Sequence, residues 1–370
     1  MIPTVSQLAF SMIRGMTPDI ASGILEAVGS EDDFFRMSEK ELRDFAQLSN
    51  RIFDEDYRNG LLTKAERELA FISEKGIRTV YFTDKDYPAR FLTAPDAPLM
   101  LYAVGGCDLN ARKLVSIVGT RHATNYGLGL CRDLVAGLAE QVGNDVVIVS
   151  GLAYGIDIAA HQAALDAGLP TVAVVAHGLD MIYPAQHRSA AAEIVRHGGA
   201  VVTEYPSSTR VHRSNFLARN RIVAALSDCT VVVESAEKGG ALVTANIAQS
   251  YGREVFAFPG KVTDEYSAGC NRLIRKNVAS LLLSAADLAD AMGWERKEPV
   301  PVQQELFVEL TAEEQQIVDL LGEKGELHIN DLGAAFNVPI HKLLSLLVDM
   351  EFRGLVDVLP GNRYAVRKNF

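Results

Sequence analysis

From about residue 110 the chain repeats one pattern: four or five consecutive apolar residues, a turn, and a longer stretch with apolar positions at helical spacing. The apolar runs fall at Leu114–Val118, Val146–Val149, Thr171–Val175, Ala200–Thr203, Thr230–Val233 and Glu254–Phe258. They are continuous rather than alternating, so both faces of each strand are expected to be buried, and each run is followed by room for a helix. The pattern predicts an α/β fold with a doubly wound parallel sheet.

Different patterns flank this block. Up to about Lys75 the apolar spacing, through Phe34, Phe35, Leu42 and Phe45, predicts short helices, with starts marked by Thr17-Pro18 and by Ser38 with Glu41 as a capping box. A bridging stretch rich in Pro and Asp runs from Tyr87 to Pro98. Beyond a linker at 294–310, three helices near Ala312–Leu321, Ile329–Phe336 and Ile340–Phe352 precede a hairpin turning at Pro360-Gly361-Asn362, a winged-helix pattern. The expected domains are therefore 1–78, 79–293 and 311–370. The third C-terminal helix, PIHKLLSLLVDMEF, offers Lys342 against Asp349 and Glu351 and lacks the Arg, Asn and Gln that read base edges. A partner-protein or structural role suits it better than duplex binding.

Composition narrows the class. With 370 residues, 48% hydrophobic and 22% charged, the chain reads as a globular protein of two or three domains. Its apolar runs are strand-sized, and MIPTVSQLAFSMIRGM lacks the basic start of a secretory signal, so a cytoplasmic location is expected. Cys107, Cys131, Cys229 and Cys270 are scattered and read as reduced, core-filling thiols. The net charge of −11 means that any phosphate-binding surface must be a local patch.

Such a patch stands at YPSSTRVHRSNFLARNR, residues 205–221, with four arginines, no carboxylate, and Tyr205, His212 and Phe216 interleaved. Arginines neutralise phosphates and aromatic rings stack on bases, the pairing that single-stranded DNA requires; the alternative is that these arginines pair with distant acids. Arg219 and Arg221 are two residues apart on a helix that also carries Asn220 on the side of Phe216, so both cannot face one strand and one should be structural. In SIVGTRHATNYG, Gly119 would let a phosphate approach the backbone, while Arg121 stands where a dinucleotide fingerprint needs glycine. In SGLAYGIDIAAHQAAL a second turn carries Ser150 and Gly151, with Asp157 placed to cap the next helix and His161 beyond it; no third ligand stands nearby for a metal. Gly239 and Gly240 form either another phosphate cradle or a tight turn. Gly260-Lys261 is no Walker A motif, and no cofactor is expected.

Taken in order, SIVGTR, SGLAYGIDIAAH, GLDMIYP, FLARNRIVAALS, VVVESAEKGGALVTA, GREVFAFPG and AGCNRLI resemble the DNA-processing protein A (DprA/Smf) family over most of residues 79–285. The resemblance implies an extended Rossmann-like domain that binds single-stranded DNA, forms a homodimer, loads a RecA-type recombinase during transformation and recombination, and has no catalytic residues. Its DNA pocket carries over to Arg121, Ser150, Gly151, Arg213 and Phe216. Two positions depart from the family pattern. Leu217 replaces a proline at the start of its helix, and Pro18 replaces the second glycine of an N-terminal helix-hairpin-helix. For the dimer, the apolar end of the core at Leu273, Ile274 and Val278, with Leu281 to Leu283 beyond, is the expected contact, although these residues could equally close the core. Two other readings stand beside this one: a nucleotide-processing phosphoribohydrolase of the lysine-decarboxylase-like type, needing Glu234 and Glu237 as a carboxylate pair, and a purely structural adaptor whose winged-helix segment contacts other proteins.

Overall fold

In a computed structural model, residues 2–43, 52, 54–297, 310–336 and 338–367 are described. Phe45 and most of the linker fall outside them. Two compact units, Met1–Glu298 and Pro299–Phe370, divide the chain.

The first unit opens with α1 (Val5–Ser11), α2 (Pro18–Val28), α3 (Glu31–Arg36), α4 (Glu39–Arg43) and α5 (Glu55–Lys75). Each start has a local cause. Thr4, Thr17, Ser30 and Asp54 accept backbone N–H groups of the first turns, and Ser38 and Glu41 exchange the two bonds of a capping box. Pro18 opens α2, where its missing N–H costs nothing.

Then follow β1 (Arg78–Tyr81), β2 (Met100–Gly105), β3 (Lys113–Val118), α6 (Asn125–Gln141), β4 (Val146–Ser150), α7 (Ile156–Asp166), β5 (Thr171–Val174), α8 (Arg188–Arg196), β6 (Ala200–Thr203), α9 (Arg213–Leu226), β7 (Cys229–Val232), α10 (Gly240–Ser250), β8 (Glu254–Ala257), α11 (Ala268–Arg275), β9 (Ser280–Leu281) and α12 (Ala285–Ala291). All nine strands join one sheet in the order β1-β2-β6-β5-β4-β3-β7-β8-β9. From β6 to β9 every pairing is parallel, whereas β1 and β2 add an antiparallel edge beside β6 that the apolar pattern did not predict.

The six expected strands are present and fully or almost fully buried, because helices cover both faces. On one face Ile222 to Leu226 of α9 and Ala241, Ala245 and Ala248 of α10 pack on Val149, Val172 and Val232; on the other, Leu134 and Leu138 of α6 and Ile156 and Ala160 of α7 pack on Ile117, Ile148 and Val231. The N-terminal helices share an apolar cluster with Tyr81, Met100 and Tyr102 of the antiparallel edge. Strand order reverses between β3 and β7, so a crevice opens beyond their carboxyl ends, the place where open α/β sheets bind ligands.

The second unit has α13 (Ala312–Lys324), β10 (Glu326–His328), α14 (Ile329–Phe336), α15 (Ile340–Phe352), β11 (Val356–Leu359) and β12 (Arg363–Val366), with strand order β10-β12-β11. It is the expected winged helix. Its own core contains Ile317, Leu321, Leu332, Leu343, Leu347, Met350 and Tyr364.

Candidate nucleic-acid interface

Four turns meet along the carboxyl edge of the sheet. The turn after β3 is pinned to the switch point: the Thr120 N–H donates to the Glu234 carbonyl at 2.7 Å, and the Ile156 N–H donates to the Thr120 carbonyl at 3.1 Å. Gly119 lies so close to Ile156 that a Cβ would overlap its side chain, and Gly155, at φ +76°, approaches the Thr120 carbonyl just as closely. Gly119 is therefore spent on packing two turns together. Arg121, fixed by this backbone, is exposed, and its guanidinium lies 5.5 Å from the centroid of the Phe216 ring.

Phe216 sits one turn into α9, which begins at Arg213. Leu217 keeps its N–H and does not clash with the preceding turn, so it is compatible with a helix that starts at Arg213, with His212 accepting from the Ser214 N–H. Arg213 therefore lies in the first turn, exposed and without a carboxylate partner among the described residues; Arg210 just before it is likewise exposed. Tyr183 stands 5.8 Å from Phe216 between ring centroids and is 43% exposed. The loop after β5 holds Tyr183 there, since its N–H donates to His177 Nε2 at 3.1 Å while Nδ1 of the same ring donates to the Gly178 carbonyl at 2.9 Å. Tyr154, 41% exposed and edge-on to His187 at 4.9 Å, adds a further ring from the turn after β4.

Other expected contacts are placed differently. Ser150 is fully buried and its hydroxyl donates to the Ile117 carbonyl at 2.6 Å, stapling β4 to β3. Gly151 is where it is because of Arg219: any Cβ there would overlap the guanidinium. Arg219 is buried and donates to the Val174 carbonyl at 2.9 Å, whereas Arg221 on the other side of α9 is held by Glu204, with Asp96 4.0 Å away. Burial depresses the Arg219 pKa and the neighbouring Asp157 opposes this; burial pushes the Asp157 carboxyl up and Arg219 pulls it back. Asp157 does not cap α7. The cap position is Gly155, and Asp157 reaches back to the Ala153 N–H at 3.4 Å. Asn220 is half-buried one turn beyond Phe216. His161 is buried against the Thr171 hydroxyl at 2.7 Å, and burial, then the nearby Arg219 and His187, lowers its pKa to about 3.

Beyond β7, Gly239 closes a tight turn, its N–H donating to the Ala236 carbonyl at 3.0 Å, and a Cβ would overlap the Ser235 hydroxyl; Gly240, facing open space, starts α10. Glu234 and Glu237 do not form a pair. Glu234 is buried and accepts from the Thr124 N–H at 2.9 Å and hydroxyl at 2.6 Å, while Glu237 is exposed and 3.8 Å from Arg272. At the far end of the core, Leu273 is 5% exposed and belongs to the apolar interior, with Ile274 and Val278 half-buried against it. The exposed apolar side chains there are Leu281 at 50% and Leu283 at 65%, on and beside the edge strand. No helix among the described residues is long and apolar enough to cross a membrane, and no cluster of metal-ligating side chains is found among them.

Sequence reasoning missed Tyr154 and Tyr183 as members of the surface. The signal was present: both turns after β4 and β5 carry one tyrosine, in SGLAYG and in DMIYP. An extended, doubly wound α/β core that presents free arginines and half-exposed rings along its carboxyl edge, coupled to a winged helix, defines the class. Residues 78–293 match the DNA recombination-mediator protein A family and residues 301–362 the DprA winged helix domain. A putative DNA processing protein DprA of Mycobacterium tuberculosis is 36% identical over 330 residues, covering 85% of this chain and 84% of its own length. The X-ray structure of DprA from Streptococcus pneumoniae, 31% identical, aligns with a TM-score of 0.65 over 78% of this chain and 98% of its own. DprA from Helicobacter pylori, whose structure is described as revealing a unique single-stranded DNA binding mode, aligns with a TM-score of 0.52 at 31% identity over 58% of this chain and 95% of its own. The chain belongs to the DNA recombination-mediator protein A family.

Proposed function

We propose that the protein binds single-stranded DNA along the carboxyl edge of its sheet and acts there as a non-catalytic recombination mediator, delivering the strand to a RecA-type recombinase in the cytoplasm. The observation that carries this reading is the cluster of Arg121, Phe216 and Tyr183, a cation over one ring with a second ring beside it, next to the unpaired Arg213 and Arg210. Ring faces accept any base, and guanidinium groups hold the backbone, so the surface suits a flexible strand with splayed bases and reads little sequence. Arg213 lies in the first turn of α9, where the helix dipole adds to its attraction for phosphate. The similarity to the Helicobacter pylori protein supports the same ligand.

Within this reading Arg121, Arg213 and Phe216 contact DNA. Ser150, Gly151 and Arg219 shape the floor beneath them, and Gly119 and Gly239 set the turns. The homodimer expected of the family would use the exposed edge at Leu281 and Leu283, flanked by Ile274 and Val278, more than the buried Leu273. Titration of oligothymidylate and of blunt duplex of equal length at several salt concentrations tests the binding. Preference for the single strand, with Arg121→Ala flattening the salt slope by about 0.7, is expected. Equal affinity for both ligands, or an unchanged slope in a folded variant, would refute the site.

A further inference from the structure

We propose that Tyr154, with Arg188 beside it in the fold, forms a second nucleotide subsite, where another base of the same single strand stacks after the strand has crossed the crest of the sheet. The inference rests on the reading of the carboxyl edge as the DNA surface and extends it from the α9 face to the α8 face. Val172 and Val174 of β5 pack toward α9, whereas Ala173 and Val175 pack with Ala191 and Ile194 of α8. The loop after β5 passes from the first face to the second. Its Tyr183 meets Phe216 of α9 at 5.8 Å between ring centroids, and His187, four residues on, meets Tyr154 at 4.9 Å and leads into α8. A 3-10 turn at Ala185–His187, closed by the His187 N–H donating to the Pro184 carbonyl at 3.0 Å, shortens the crossing. The backbones of Tyr183 and His187 are thereby held within about 11 Å of each other. A strand advances about 3.4 Å per nucleotide when stacked and about twice that when splayed, so roughly two or three nucleotides cover this span.

Tyr154 is built as a fixed platform. Its hydroxyl donates to Gln186 Oε1 at 2.9 Å and its ring meets His187 edge-on, yet the residue remains 41% exposed. The backbone is fixed as well, because Gly155 lies so close to Arg121 that a Cβ there would stand 2.8 Å from the Arg121 Cα. A ring held at its hydroxyl and its edge gives up little conformational freedom when a base stacks on its open surface. The charge needed beside it is present. Arg188 follows His187 in the chain, is exposed, and has no carboxylate partner among the described residues. The exposed carboxylate of the same loop, Asp180, lies against Gly178 on the side of Pro206 and Ser207. A held ring with a free guanidinium close by repeats the pairing of Phe216 with Arg121, and this selects a nucleotide as the occupant.

Photo-cross-linking of the unaltered full chain, followed by titration of variants, tests the subsite. A dodecathymidylate carrying 5-iodouracil in place of thymine should cross-link on irradiation to Tyr154 as well as to Phe216 or Tyr183, read by mapping the modified peptides. Tyr154→Ala should weaken binding of the plain dodecathymidylate roughly five-fold or more, the lower end of the worth of one stacked base, while Tyr154→Phe, which keeps the ring, should stay within two-fold of the parent. A strand of the same length built from abasic units keeps the phosphates and has nothing to stack. Tyr154→Ala should leave its binding unchanged, whereas Arg188→Ala should weaken both strands and flatten each salt slope by about 0.7. No cross-link at Tyr154, or an unchanged slope in Arg188→Ala, would overturn the proposal. So would equal losses on the two strands in Tyr154→Ala, which would give Tyr154 a purely structural role. Phe216→Ala, titrated in parallel, separates this inference from the reading beneath it: weakened binding there with parent-like binding by Tyr154→Ala sinks the second subsite alone, and parent-like binding by both variants sinks the two together.

Discussion

At the scale of single residues, the proposed interface rests on a buried polar floor. Gly151 and Arg219 occupy one volume between them, so Gly151→Ala must displace a buried guanidinium that donates to Val174. The expected cost is about 1–3 kcal/mol of stability, the range for overpacking, and a denaturant midpoint equal to the parent's would show that the floor can yield. His161 makes the floor sensitive to acid. Its pKa of about 3 lies below the ordinary histidine value, so between about pH 6.5 and pH 3 the unfolded chain takes up a proton that the folded chain refuses, and stability is lost as pH falls through that window. The linkage is worth about 2 kcal/mol between pH 7 and pH 5, and His161→Gln should remove that part of the acid dependence. Equal losses in parent and variant would mean that His161 is not held neutral. On the surface, Phe216→Ala should weaken single-strand binding by about 1–3 kcal/mol, the worth of one stacked base, and a binding isotherm within two-fold of the parent's would remove Phe216 from the site.

At the scale of elements, the loop that carries Arg210 and leads into Arg213 is held from a distance. Glu68, buried on α5, accepts from the Ser207 N–H at 2.9 Å and from its hydroxyl at 2.5 Å, which ties the segment between β6 and α9 to the N-terminal helices. Glu68→Ala should therefore speed hydrogen exchange at the Ser207 amide and weaken DNA binding, although Glu68 touches no part of the proposed DNA surface. An unchanged exchange rate would show that the loop is set by its own residues. Much at this scale was legible from local signals: six strands, the winged helix, and the starts of α2 and α4 follow from apolar runs and capping residues. The antiparallel edge was not, because β1 and β2 gain their place by pairing with β6 and receiving the N-terminal helices, and neither is a local property.

At the scale of the whole molecule, the apolar residues at the end of the core divide between interior and surface. Leu273 closes the core, while Leu281 and Leu283 remain in water beside an unpaired sheet edge, the combination that a symmetric contact would cover. A shortened chain of residues 1–298 should therefore remain a dimer in solution, and Leu283→Asp should make it a monomer. A monomeric parent at tens of micromolar would move the contact elsewhere.

The sequence by itself determined the layered α/β core, its switch-point crevice, the winged helix, and the residue types that a phosphate backbone and bases require, because periodicity, capping and side-chain chemistry are local. It also required Arg219 and Arg221 to point apart, since two residues on a helix span about 200°. Only the tertiary structure decided which arginines are available. Arg219 and Arg221 are consumed by Val174 and Glu204, which lie far from α9 in the chain or across a turn from it, while Arg121, Arg210 and Arg213 are left to solvent. It decided likewise that Ser150 is a staple and that Tyr183 faces Phe216. A side chain's partner depends on which distant backbone folds beside it, and spacing along one chain does not specify that.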